Sequence, residues 1–186
     1  IRVAGNNLLE QVDTILAYSK LEAGMLTLKD KTYKFYEMIE EQARLCLLNI
    51  REKDIVFTVR FLDRFPEQVS GDYLRVAQIF QNILSNACKF TEQGTITLSL
   101  HCKMEEGQVW FDGCVEDTGV GMTKEKLAQV FAEYVSFSED MGVEGFGLGL
   151  SIVRQLVEMM HGGVRAESDP GKGTRVSFGF YQKQVM

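Results

Sequence analysis

The first chemical signal is a line of four side chains. Gln78, Asn82, Asn86 and Lys89 are spaced by four, four and three residues, so a helix at about 100° per residue stacks them on one face. Val76, Ile79, Phe80, Ile83, Leu84 and Ala87 fall on the opposite face and read as core. Three carboxamides and a lysine make poor core material, and a solvated face more often carries Glu and Lys. Amide oxygens are hard ligands suited to Mg²⁺, and a lysine is a point charge for phosphate oxygens. The stripe therefore points to a metal and phosphates.

Three glycine-rich stretches follow in order: DTGVG at 117–121, GFGLGL at 145–150 and GKGT at 171–174. Singly each is a weak signal. GFGLGL lacks the spacing of a dinucleotide fingerprint and no strand leads into it; it also lacks the GK[ST] ending of a Walker A loop.

The surrounding pattern says which elements hold these residues. Residues 3–25 read as a helix, with Leu8, Val12, Ile15, Ser19 and Glu22 at 4-3-4-3 spacing, expected to be one arm of a helical hairpin. Leu26–Tyr36 reads as a short strand region and Glu37–Lys53 as a helix. Strict alternation of Ile55, Phe57, Val59 and Phe61 makes Asp54–Leu62 a half-buried strand. Pro66 and Gly71-Asp72 lead into the Asn-rich helix, with Asp72 as its N-cap. Thr95–Lys103 and Gln108–Glu116 read as strands joined by a Glu105-Glu106-Gly107 turn. Thr123 caps a helix over Lys124–Phe131, Ala132–Gly149 lacks regular pattern, and Leu150–Met160 is helical, ended by Gly162-Gly163. Val164–Glu167 and Thr174–Tyr181 form a last strand pair. The order β-α-β-α-β-β-α-loop-α-β-β fits an α+β fold, a two-layer α/β sandwich with helices on one face of a mixed sheet.

The 186 residues are 45% hydrophobic, enough for a real core, and the net charge of −6 argues against a nucleic-acid partner. No apolar run reaches membrane-spanning length, so no direct membrane contact is expected. Cys46, Cys88, Cys102 and Cys114 are scattered without a CxxC pair and read as reduced, mostly buried thiols of a cytosolic protein.

Taken together, the Asn helix, DTGVG, Phe131, GFGLGL and GKGT resemble the N, G1, F, G2 and G3 boxes of the catalytic ATP-binding domain of sensor histidine kinases. That domain belongs to the superfamily of gyrase, Hsp90 and MutL, and the resemblance covers roughly residues 27–182. NNLLEQVDTILAYSKLEAG at 6–24 looks like the end of the second dimerisation helix, with a YSKLEAG junction typical of hybrid and related sensor kinases. The resemblance implies a Bergerat-type ATP-binding fold at 26–186, preceded at 1–25 by part of the dimerisation hairpin. It implies ATP and Mg²⁺ as cofactors, with Asn86 ligating the metal and Asn82 and Lys89 supporting metal and phosphates. Asp117 would accept a hydrogen bond from the adenine amino group, with Thr174 nearby. Gly119 and Gly121 would let backbone approach the base. Gly145, Gly147, Leu148 and Gly149 would form the lid end and offer backbone N–H groups to phosphate.

In the hydrolysing members a glutamate four residues before the metal-binding asparagine activates water. Here that position is Asn82, and an amide cannot take a proton at neutral pH. The resemblance thus implies phosphotransfer to a histidine rather than hydrolysis. Neither His101 nor His161 is followed by an acidic residue, so the acceptor is expected upstream of Ile1. The implied partners are the dimerisation helices of the same parent, a homodimer in the full protein, and a response regulator receiver domain; the implied location is cytoplasmic. Two departures stand out. Ala132 occupies the usual Glu position after Phe131, and no Lys or Arg lies between Leu127 and Val153, a stretch that instead holds Glu133, Glu139, Asp140 and Glu144. Negative charge beside a triphosphate repels it. The competing reading is a nucleotide-binding regulatory module with weak or no transfer, acting by pairing with another kinase.

Overall fold

A computed structural model describes residues 25–132 and 148–185. The helix expected over 3–25, the lid stretch 133–147 with Gly145 and Gly147, and the boundary at residue 25 as a domain division lie outside the described residues or on their edge.

The described chain runs β1 (Lys31–Tyr33), α1 (Phe35–Asn49), β2 (Asp54–Phe61), β3 (Val69–Gly71), α2 (Tyr73–Phe90), β4 (Gln93–Glu105), β5 (Gln108–Asp117), α3 (Lys124–Ala128), α4 (Gly149–Met159), β6 (Gly163–Asp169) and β7 (Gly173–Gln184). One sheet of seven strands forms among the described residues, in the order β1-β3-β7-β5-β4-β2, with β6 also paired to β7. The β2–β4 pair is parallel and the others are antiparallel, so the sheet is mixed as expected.

Alternation sets the core. Ile96, Leu98 and Leu100 of β4, Val109, Phe111 and Val115 of β5, and Val176, Phe178 and Phe180 of β7 are all buried on one face. Helices α1, α2 and α4 cover that face, with α2 between the other two. All six residues expected on the apolar face of α2 are buried. Phe80 meets Phe178 edge-on at 5.2 Å and Phe35 at 6.3 Å, so truncating it to alanine would cost about 3–5 kcal/mol. Asp72 caps α2, its side chain accepting from Arg75 N at 3.2 Å, and its other oxygen accepts from Lys29 N at 2.9 Å. Both bonds fix where the helix starts.

Several boundaries differ from the sequence reading. The strand expected across 26–36 shrinks to Lys31–Tyr33, and α1 starts two residues early, because Phe35 is needed in the core at the first helical position. Strand β3 was not expected: three residues are too few to show periodicity, and it is made by pairing with β1 and β7. The third helix is shorter than Lys124–Phe131. The stop of α4 also shifts. His161, not a glycine, takes the left-handed position (φ 58°), with His161 N donating to Glu158 O at 3.0 Å and Gly162 N to Val157 O at 2.8 Å. Gly162 is a glycine for another reason: a Cβ there would collide with the Gly179 carbonyl of β7.

Candidate nucleotide site

The expected site residues converge where β5 ends, α2 ends, β7 begins and α4 begins. Asp117 is the last residue of β5 and pairs in register with Thr174 of β7. Its Oδ1 accepts from Gly119 N at 2.9 Å and Thr174 N at 3.3 Å. Burial pushes the Asp117 carboxyl above its ordinary pKa, while these two backbone donors and the neighbouring Thr91 hydroxyl pull the other way. Thr91 is fully buried, and its hydroxyl meets no hydrogen bond of ordinary geometry. Both backbone donors land on Oδ1, which leaves Oδ2 as the oxygen able to meet an exocyclic amino group.

The loop after Asp117 is clamped on both sides. Val120 N donates to Phe90 O at 3.2 Å, tying it to the end of α2, and Gly171 N donates to Val120 O at 2.7 Å, tying it to the β6–β7 turn. The Ser168 hydroxyl accepts from Met122 N at 2.8 Å, donates to Gly173 O at 2.8 Å and meets the Thr174 hydroxyl at 3.0 Å. Gly119 and Gly121, expected to let the backbone approach the base, and Gly173 of the last turn each pack against neighbouring backbone where a Cβ would stand. A Cβ on Gly119 would strike the Phe90 carbonyl, one on Gly121 the Asp169 carbonyl, and one on Gly173 the Asp117 carbonyl. Their immediate work is to let three backbone segments touch.

The α2 side is different. Asn82, Asn86 and Lys89 are half-buried on the polar stripe, as expected. Gln78 leaves the set, because its side chain accepts from Arg75 at 2.8 Å. Lys89 lies over the Phe90 ring with Nζ at 5.2 Å from the centroid. Asn82 packs under the start of α4: a Cβ on Gly149 would stand 3.6 Å from Asn82 Oδ1. Among the described residues the Nδ2 of Asn82 is buried with no hydrogen-bond partner. A buried amide without a partner costs about 1–3 kcal/mol, so an acceptor supplied by a ligand is favoured there. Leu148 is buried and holds the first turn of α4, where Ser151 Oγ donates back to Leu148 O at 2.8 Å.

No cluster of three or more His, Cys, Asp or Glu side chains fit for a metal occurs among the described residues. A hard cation beside Asn86 would therefore draw its remaining ligands from phosphate and water, the usual habit of Mg²⁺. Two contributors escaped the sequence reading. Lys53 Nζ donates to Cys88 O at 2.8 Å and Thr91 O at 3.0 Å, placing a cation at the C-terminus of α2. Ser168 organises the loop junction. Neither stands in a motif, and both depend on contacts distant in sequence. A cavity of about 440 Å³, lined by Tyr33, Glu37, Glu41 and Tyr73, lies at the opposite end of α2 and shares no residue with this site.

Histidine 101 is exposed on β4, its Nδ1 3.0 Å from Asp63 Oδ2, and His161 is exposed beyond α4. Neither belongs to the site. Among the described residues no helix is long and apolar enough to cross a membrane.

Comparison with known proteins agrees with this geometry. The profile of the histidine kinase-, DNA gyrase B- and HSP90-like ATPase family matches residues 71–184. Hybrid signal transduction histidine kinase B of Dictyostelium discoideum is 35% identical over 183 residues, 96% of this chain but 9% of that protein. Signal transduction histidine-protein kinase BarA of Escherichia coli K12 is 32% identical over 96% of this chain and 20% of its own length. The crystal structure of full-length ShkA in complex with AMPPNP superposes with a TM-score of 0.81 at 28% identity, covering all of this chain and 38% of that one. The chain thus spans a fifth or less of these two curated relatives. With the boxes, the mixed sheet and the profile in agreement, the chain belongs to the histidine kinase-, DNA gyrase B- and HSP90-like ATPase family, as an ATP-binding domain of the sensor histidine kinase type.

Proposed function

We propose that this domain binds Mg-ATP and donates the γ-phosphate to a histidine on the dimerisation helices of its parent protein, for relay to a receiver domain in the cytoplasm. Asp117 would read the adenine amino group. Asn86 would hold Mg²⁺ together with phosphate oxygens, and the ion would neutralise phosphate charge. Lys89 would add a second positive charge, and the first turn of α4 would offer backbone N–H groups to the anion. Catalysis of this kind is positioning and charge stabilisation.

The observation that carries the reading is Asn82. It sits against Gly149 with an unpartnered buried Nδ2, so it offers a donor where hydrolysing relatives need a base. The test is the full-length parent with γ-labelled ATP. An acid-labile, base-stable phosphoryl group on a histidine upstream of residue 1 supports the proposal. A label on His101 or His161, or phosphate release with no labelled protein, would sink it.

The acidic stretch from Glu133 to Glu144 favours a second reading, a nucleotide-binding regulatory module that pairs with an active kinase. Nucleotide binding without self-labelling, together with labelling in trans by a partner kinase, would select that reading.

A further inference from the structure

The back of α2 carries a feature that nucleotide binding does not use. Cys46 lies in the last turn of α1 and Cys88 in the last turn of α2, and their sulfurs stand 3.0 Å apart in the core. Both residues are buried, at 2% and 3% exposure. Thiols elsewhere in the chain have other neighbours: Cys102 donates to Arg64 O at 3.4 Å, and Cys114 accepts from the Ser177 hydroxyl at 3.6 Å. We propose that Cys46 and Cys88 form an oxidation site, a dithiol that a hydroperoxide converts to a disulfide joining α1 to α2.

The pair is asymmetric. The hydrogen bond from Cys46, with help from the Lys53 ammonium, outweighs burial and lowers the Cys88 pKa, while the same hydrogen bond, together with burial, raises that of Cys46. Lys53 stands close because its Nζ already holds the Cys88 carbonyl. Cys88 is thus the sulfur of the pair more readily deprotonated to attack, and Cys46 is the thiol that resolves. Cys88 sulfur attacks the peroxide O–O bond, giving a sulfenic acid and releasing an alcohol, or water from hydrogen peroxide. Cys46 sulfur then attacks the Cys88 sulfur; the S–S bond forms, the S–O bond breaks, and the hydroxide leaves as water with the Cys46 proton. Two thiols and one hydroperoxide yield one disulfide, one alcohol and one water. A small peroxide reaches the sulfurs when the ends of α1 and α2 open locally, the sub-global opening that folded domains undergo.

The bond would close a loop of chain between α1 and α2 and pin the helix that carries Asn82, Asn86 and Lys89 from its rear, leaving the polar stripe untouched. Cross-links of this kind stabilise by restricting the unfolded chain. The site stands independently of the nucleotide reading, since its chemistry is read by thiol counting.

The experiment treats the folded domain with hydrogen peroxide, quenches, denatures, alkylates free thiols and maps peptides by mass spectrometry. The expected result is one disulfide linking the Cys46 and Cys88 peptides, Cys102 and Cys114 still alkylatable, reversal by dithiothreitol, and a melting temperature several degrees higher in the oxidised form with nucleotide binding unchanged. Cys46 and Cys88 remaining alkylatable while Cys102 or Cys114 oxidises would overturn the proposal, as would a linkage to either outer thiol. Cys46→Ala gives a second readout. Without a resolving thiol, peroxide should carry Cys88 on to sulfinic acid, which dithiothreitol does not reverse; the same product in the parent chain would count equally against the pair.

Discussion

The two walls of the nucleotide site are built by opposite means. On the β5–β7 side, Asp117 and the loop to Gly121 are held by backbone donors, by the Ser168 hydroxyl and by glycines packed against other backbone. On the α2 side, Asn82 keeps a buried donor with no partner among the described residues. The first wall holds its backbone in place without a ligand. The second leaves a polar group for a ligand to satisfy, as the phosphate and metal side of the proposed site would require. If Asp117 reads the adenine amino group as proposed, a rigid reader suits a rigid base. The difference makes a general prediction: changes to the backbone packing of the first wall should damage fold and affinity together, whereas changes to the second should separate them.

The largest effect is expected where the first wall is tightest. Gly173 has φ +88° and no room for a Cβ against the Asp117 carbonyl, whereas Gly171, two residues away, has φ +75° and open space. Gly171→Ala meets only the left-handed strain, about 1–2 kcal/mol. Gly173→Ala adds a backbone collision and should cost about 3–5 kcal/mol in urea unfolding. Equal costs for the two would mean that the junction is softer than its contacts imply.

Next comes Asp117→Asn. The asparagine Oδ1 can keep both backbone donors, but its NH₂ then faces the adenine amino group, donor against donor. Loss of a hydrogen bond to a charged group is worth about 1.5–3 kcal/mol, so ADP affinity by calorimetry should fall by about tenfold to a hundredfold. Lys89→Ala should cost less, because a half-exposed ammonium acts through screened charge. The reverse ranking would place the base elsewhere.

Asn82→Leu separates the walls most directly. Removing an unsatisfied amide should leave stability of the free domain unchanged or raise it by about 1 kcal/mol. Mg-nucleotide affinity should drop by about tenfold, the worth of one hydrogen bond to a charged oxygen at the low end of its range. A variant that loses stability and keeps affinity would show Asn82 to be a packing residue.

How much of this could be read from the sequence follows the same division. The core face of α2, its Asp72 cap, the β4–β5 hairpin and the place of Asp117 at a strand end were legible, because each is a local pattern: helical spacing, a capping residue, alternation, a strand running into glycines. Strand β3, Lys53 and Ser168 were not, because each acquires its role from residues distant in sequence. The cysteines show the limit well. Their burial could be half-guessed from the elements they occupy, and Cys46 and Cys88 are indeed buried while Cys102 and Cys114 are only half-buried. Their pairing depended on how α1 crosses α2, which no spacing encodes. At Gly119 and Gly121 a motif tells that a Cβ is disfavoured, and the fold adds which backbone carbonyls it would strike.

The smallest expected effect concerns protons at the rigid wall. Burial raises the Asp117 pKa above its ordinary 3.8, so the folded state holds this proton at a pH where the unfolded chain has released it. Between the two pKa values the native state binds more protons, and stability falls as pH rises through that window. The contribution is therefore a destabilisation that is complete above the folded pKa and vanishes below the unfolded one. If Asp117 reads the base as proposed, adenine recognition runs the other way, since a protonated carboxyl accepts less well. As pH falls, nucleotide affinity should begin to weaken above the usual aspartate range while this residue's contribution to domain stability improves. Calorimetry and urea unfolding between pH 7 and the onset of acid denaturation, with Asp117→Asn as the flat control, would measure both slopes. Slopes of the same sign would mean that the carboxyl is not the group that reads the base, and that the rigid wall is only scaffold.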